Sequence, residues 1–532
     1  MKRSRGIKSL FALVTTAALL SSCSIFDFVS GLYDSSSDKE ESLASGGTVT
    51  PDDPSDESGT IPTKIMDINE TNGDYDMPSL GESKLLVIPV KISNYSSVAT
   101  SSTKSDIEKA FFGDSDETGW ESLASFYEKS SFGKLKISGF VTDWWDCGYS
   151  TSQIASFTDS SSKNFDPTVR LMKEAVSWYK STYKSKGTEF DSNKDGLIDG
   201  VWLVYSAPDY SKAPTLDNDV FWAYTYSDYS LTSTYLSNPQ GYRYCWASYD
   251  FMYAGYGASQ VDAHTYIHET GHLLGLDDYY VAKTDSSIKR NYSPVGGIDM
   301  MDNNIIDHDS FSKMALGWVS PIDGSKGGTF TLSPFTESGD CLIIPGDGGW
   351  NGSPFDEYIL VEFYSPTGLN KKDSDSAYKG NGGTLRGFAN YGVRIFHVDA
   401  RMALITTKGV QRYCDRVISS STEATVLAHS NSSAYNYLNP AYRLIQLMDK
   451  GQKRNFDTDN DSKSVSSSIR AKAYADNTSL FYEGDEFSFS SYKHSFPNYY
   501  YNRQEVMNDG HTFSKKITIT SLTEDKVEVK VA

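Results

Sequence analysis

The sequence predicts a mixed α/β fold followed by a β-rich region, on three observations. Strand-length apolar runs alternate with helix-spaced segments between about residues 84 and 205. A further helix is expected within HETGHLLGLDD at 268–278, ending at Gly275. After about Ser320 the chain turns to short alternating runs, TFTLS, CLIIP, EYILVEF, KKITITS and KVEVKVA, which read as one or two β-rich domains. A length of 532 residues is too great for a single core, so two or more domains are expected.

The chain opens with Lys2, Arg3, Arg5 and Lys8, then an apolar stretch from Leu10 to Leu20 that is too short to span a bilayer. Leu20, Ser21, Ser22 and Cys23 resemble the lipobox of bacterial lipoproteins. That resemblance implies a signal peptide over 1–22 and a lipidated Cys23 that anchors the mature protein to the membrane, facing the extracytoplasmic side. From Gly31 to about Ile61 the chain is rich in Ser, Asp, Glu and Gly and poor in large apolar residues. It cannot bury enough surface to fold, so 23–62 is expected to be a flexible tether.

The first folded elements follow. KLLVIPVKI at 84–92 is a strand, residues 121–132 with Phe126 and Tyr127 a helix, and KLKISGFV at 134–141 a strand again. Val169, Leu171, Met172, Ala175 and Trp178 keep helical spacing through Pro167 to Tyr183. FDSNKDGLIDG at 190–200 then offers oxygen ligands at Asp191, Asn193, Asp195 and Asp199, with Leu197 between them and Gly196 at the sharp turn. These are the first nine positions of a calcium loop. Trp202 stands where such a loop ends in a bidentate Glu, and VWLVYS continues as a buried strand, so the expectation is a structural calcium site joining helix to strand and not an EF-hand.

Residues 268–278 carry the chemistry. His268 and His272 are four apart, close to one helical turn, so both imidazoles can reach one metal ion. Glu269 follows the first histidine, where a carboxylate can take a proton from water at the metal's open position. Gly275 allows the helix to end, and Asp278 is placed to supply a third, oxygen ligand. This is a zinc-site pattern.

A formal net charge of -20 and the absence of a basic patch after the signal segment argue against nucleic acid as a partner. The 36 tyrosines fit a polar extracellular surface and half-buried strands. Cys147, Cys245, Cys341 and Cys414 are widely spaced, without a C-x-x-C pair, and demand neither a metal cluster nor a disulfide framework. His397, in an apolar run, reads as a packed histidine, and DTDND at 457–461 as a solvated loop.

Several separated motifs together are similar to the immune inhibitor A family of secreted bacterial zinc metallopeptidases. They are SFYEKSSFGKLKISG at 125–139, the aspartate-rich loop with VWLVYSA, HETGHLLGLDDYY at 268–280, GIDMMDN at 297–303 and SKMALGWV at 312–319. EYILVEFYSPTGLN at 357–370 and GVRIFHVDAR at 392–401 extend the resemblance, which covers most of residues 80–400. It implies zinc on His268, His272 and Asp278, Glu269 as general base, and Met301, or the adjacent Met300, as an apolar floor beneath the ligands. Asp277 stands where the family commonly has proline, so two carboxylates compete for the third-ligand role.

The implied fold is a metzincin-like α/β zincin: a twisted, mostly parallel sheet with an active-site helix along it, over residues 63–320, with 321–532 as the β-rich C-terminal region. Its cleft would take an extended protein or peptide substrate for hydrolysis. Tyr279, Tyr280, Tyr292 and His308 are near enough in sequence to stabilise an oxyanion, although packing roles fit each better. The alternative is a non-catalytic surface lipoprotein, an adhesin or binding protein, on a retained zincin fold. The presence of Glu269 favours the enzyme.

Overall fold

The computed structural model describes residues 59–157, 167–217, 220–281, 293–381, 383, 385–406, 409–418, 423–432, 439, 441–456 and 474–532. The segments read as signal peptide and tether up to residue 58, with Cys23, Tyr292 and the DTDND run, lie outside the described residues. Among the described residues no helix is long and apolar enough to cross a membrane.

The strands of the first half are β1 (Gly81–Lys91), β2 (Leu135–Val141), β3 (Trp145–Asp146), β4 (Gly200–Tyr205), β5 (Tyr224–Ser227) and β6 (Arg243–Ser248). They form one sheet in the order β2-β1-β4-β6-β5, with β3 also pairing to β1. All of its pairings are parallel except that of β5, which runs antiparallel to β6 at the edge. A parallel sheet must be covered on both faces, and β4 is buried at every position.

Alternation along the strands divides the core. Leu86, Ile88, Leu203 and Tyr205 face a helix at Pro167–Thr182, which presents Leu171, Met172 and Ala175. Leu85, Val87, Trp202 and Val204 face the opposite way, onto α1 (Ser101–Phe112), α2 (Leu123–Ser130) and the motif helix α3 (His264–Leu273). Helix α2 is shorter than the 121–132 expected, because Ser122 caps its start and Phe132, at φ 56, is already in the turn that leads to β2.

After residue 320 the chain is built from antiparallel sheets, apart from the parallel pairing of Ile322–Asp323 with Cys341–Pro345. A five-stranded sheet contains Glu357–Tyr364 and Gly392–Asp399, both buried throughout. Leu342, Ile344, Ile359 and Val361 on one face pack against the strands Lys516–Leu522 and Val527–Val531 of a four-stranded sheet. Ile343, Tyr358, Leu360 and Phe396 on the other face belong to the same hydrophobic cluster as Tyr266, Met301 and Trp318. The β-rich half therefore packs directly on the side of the parallel sheet that carries α3. His397 lies in this half, buried and 2.7 Å from Glu357.

Candidate metal centre

Helix α3 is buried at every position, which fixes its rotation and so the direction of each side chain. Just ahead of it, Asp262 accepts the backbone N–H of its first residue, His264, at 3.0 Å. Tyr127 donates to the Ile267 carbonyl at 2.7 Å, and Trp202 Nε1 lies 3.1 Å from the Thr270 hydroxyl. At the far end Gly275 N–H reaches the His272 carbonyl and Leu276 N–H the Gly271 carbonyl, both at 3.0 Å. Gly275 has φ +94, and a Cβ there would come within 2.6 Å of Asp76 Oδ2. Only glycine both adopts that turn and leaves that space.

The turn brings Asp278 back to the histidines. Its Oδ1 lies 3.0 Å from His268 Nε2 and 3.3 Å from His272 Nε2. Among the described residues, His268, His272 and Asp278 are the group of three whose ligand atoms all lie within 4.8 Å of one another. Each imidazole is oriented from behind: His268 Nδ1 is 2.7 Å from the Met300 carbonyl and His272 Nδ1 is 2.8 Å from the Leu276 carbonyl. A carbonyl only accepts, so each Nδ1 carries the proton and each Nε2 is turned toward the cluster. Two imidazoles and one carboxylate, so oriented, fit a zinc ion.

Charge couples these groups. Burial alone would raise the Asp278 carboxyl, but His272 and His268 outweigh it and hold Asp278 below the ordinary carboxylate range. Burial likewise opposes charge on His272, yet the charge of Asp278 raises its pKa to about 9. Glu269 is buried next to them, and burial, aided by Asp278, pushes its carboxyl up against the pull of the two histidines.

The competing carboxylate is turned away. Asp277 accepts hydrogen bonds from the hydroxyls of Ser430 and Ser432, the latter at 2.8 Å, and from the backbone N–H of Asp278 at 2.9 Å. Between the two serines, Asn431 donates to the Tyr279 carbonyl at 3.0 Å. A segment of the β-rich half thus clamps the loop that delivers Asp278. Met301 lies under the helix: a Cβ on Gly271 would meet its Sδ at 2.5 Å and its Cε at 3.0 Å. Met300 contributes its backbone carbonyl to His268.

The other aromatic candidates are used in packing. Tyr279 pairs its hydroxyl with Ser312 at 2.7 Å, and His308 is enclosed by Phe126, Tyr127 and Trp318. Tyr280 is buried at 6% exposure. Sequence reading missed Arg243, which is buried, pairs with Asp74 at 2.6 Å and with Asp76, and donates to the His272 carbonyl at 3.2 Å. The alternating carboxylates of Asp74 and Asp76 were the available signal.

The aspartate-rich loop is arranged differently. Asp191 accepts the N–H groups of Asp195 at 3.0 Å and Gly196 at 3.1 Å, and Asp195 accepts that of Leu197 at 2.8 Å. Asn193 donates its side-chain amide to Asp195 at 2.8 Å, and Asp199 accepts from Ser192 at 2.9 Å and Lys84 at 2.8 Å. Gly196, at φ +86, makes the turn. These carboxylates hold backbone, and they do not form a group as close as the one at His268.

No protein-family model matches this chain, and no curated protein matches it.

Proposed function

We propose that the chain is a zinc-dependent endopeptidase of the metzincin-like, immune inhibitor A type, acting on extracellular proteins from a lipid anchor on Cys23. The observation that carries this reading is the convergence of His268, His272 and Asp278, with the buried carboxylate of Glu269 on the same helix. His268, His272 and Asp278 would hold the zinc ion, which would supply Lewis-acid polarisation of a carbonyl and acidification of water. His268 and His272 present Nε2 because their Nδ1 protons are committed to carbonyls. Glu269 takes a proton from the attacking water on a carboxylate oxygen and returns it to the departing amide nitrogen. The loop at Asp191–Asp199 takes calcium in a structural role under the same reading.

The test is a casein digest with zinc-loaded protein, with and without chelator, alongside Glu269→Gln. Wild type should cleave only with zinc, and Glu269→Gln should keep one zinc per chain while losing about 10²–10⁴-fold in rate. A zinc-loaded wild type without activity, or a Glu269→Gln variant as active as wild type, would point to a surface binding protein. Anchoring is checked separately: wild type should fractionate with membranes and Cys23→Ala should not.

A further inference from the structure

β5 and β6 place Thr225 directly opposite Cys245 in their antiparallel register. Opposed residues share a face, so both side chains rise toward the same spot on α3. That spot is Glu269. Thr225 Oγ1 lies 3.0 Å from the Glu269 carbonyl and 3.3 Å from its carboxylate Oε2. Cys245 Sγ lies 3.2 Å from Thr225 Oγ1 and 3.5 Å from the same carbonyl. Thr225 is 3% exposed and Cys245 fully buried, so bulk water does not substitute for either group.

Counting protons assigns the roles. A hydroxyl and a thiol each carry one proton, and the acceptors are the Glu269 carbonyl, Glu269 Oε2 and the threonine oxygen itself. Burial pushes the Cys245 thiol well up, so it stays protonated and is a donor. With the thiol donating to the Glu269 carbonyl, the single threonine proton goes to Oε2.

We infer that Thr225, supported by Cys245, is a positioning residue that anchors Oε2 of Glu269, so that the other carboxylate oxygen does the proton transfer. The inference rests on the proteolytic reading above. It also gives the antiparallel edge strand a role in catalysis beyond closing the sheet.

The test compares wild type, Thr225→Val, Thr225→Ser and Glu269→Gln. Valine keeps the branched shape and loses the hydroxyl, whereas serine keeps the hydroxyl. Thr225→Val should lower kcat about tenfold on a peptide substrate, the rate effect of one lost hydrogen bond, with KM and zinc content unchanged. Thr225→Ser should stay within about twofold of wild type. Binding of a peptide hydroxamate, whose acidic proton needs the Glu269 carboxylate as acceptor, should weaken in Thr225→Val and be restored in Thr225→Ser.

Wild-type kcat and hydroxamate binding in Thr225→Val, with Glu269→Gln inactive, would overturn the positioning role alone. Loss of zinc in Thr225→Val, or failure of serine to restore kcat, would overturn it in favour of a structural role. A wild type that does not cleave, or a fully active Glu269→Gln, removes the proteolytic reading and this inference with it.

Discussion

The histidine-bearing helix with its glycine turn at 268–278 and the aspartate-rich turn at 191–199 both space donor side chains at metal-ligand intervals, yet they fold to different ends. On α3 the backbone amides are satisfied within the helix and its glycine turn, so His268, His272 and Asp278 can converge on one another. In the turn the amides of Ser192, Asp195, Gly196 and Leu197 have no ladder, and the carboxylates of Asp191, Asp195 and Asp199 satisfy them. Regular structure lets side chains specialise in a ligand. A turn engages them in its own closure.

The strongest way to break the contrast is to remove a ligand from each. His272→Ala should abolish stoichiometric zinc, measured by elemental analysis, and proteolysis with it. Asp191→Ala should leave zinc at one per chain. Loss of zinc from the turn variant would make the two regions one system.

Next in size is the clamp from the β-rich half. Ser430→Ala with Ser432→Ala strips the hydroxyl donors from Asp277 and loosens the loop that delivers Asp278. Zinc affinity, titrated against a competing chelator, should fall about 10–100-fold. An unchanged affinity would show that Asp278 is placed by α3 and Gly275 alone.

The pH dependence is smaller and concerns the base of α3. His264 is buried between the rings of Trp120 and Tyr378, with Asp262 at 2.6 Å and Asp373 at 3.5 Å. Burial alone would lower its pKa, but Asp262 and Asp373 outweigh that and raise it from 6.5 to about 9. A group raised on folding binds its proton more tightly in the native state, so its stabilisation is full below pH 6.5 and is lost as pH rises through about 9. The urea midpoint should fall across that window in wild type, and less so in Asp373→Asn. Equal slopes would remove this charge from the account.

The smallest effect belongs to the turn. Adding calcium to metal-stripped protein should raise Tm by about 2–4 °C, because the cation must share oxygens already bonded to backbone. Asp195→Asn should cancel the rise. No shift in wild type would leave the turn as a purely hydrogen-bonded one.

What was legible in the sequence was local. The apolar runs became β1, β2 and β4, the i,i+4 histidines and Gly275 became the buried helix α3 and its turn, and Met301 came to lie against Gly271. What was not legible depends on contacts between distant segments. Spacing favours Asp278 but leaves Asp277 beside it as a competitor, and serines more than 150 residues downstream engage Asp277. Thr225 and Cys245 sit in unremarkable strands and acquire meaning only from the register of an edge pairing beneath Glu269. The Arg243 pair with Asp74 and Asp76 likewise joins segments about 167 residues apart.

The most direct measurement is a crystal structure of zinc-grown protein with anomalous data at the zinc edge. The account predicts a single strong peak bonded to His268 Nε2, His272 Nε2 and Asp278, with Asp277 still on Ser430 and Ser432 and no zinc signal at Asp191–Asp199. A peak liganded by Asp277, a peak in the turn in place of the helix site, or no peak at the histidines would contradict it.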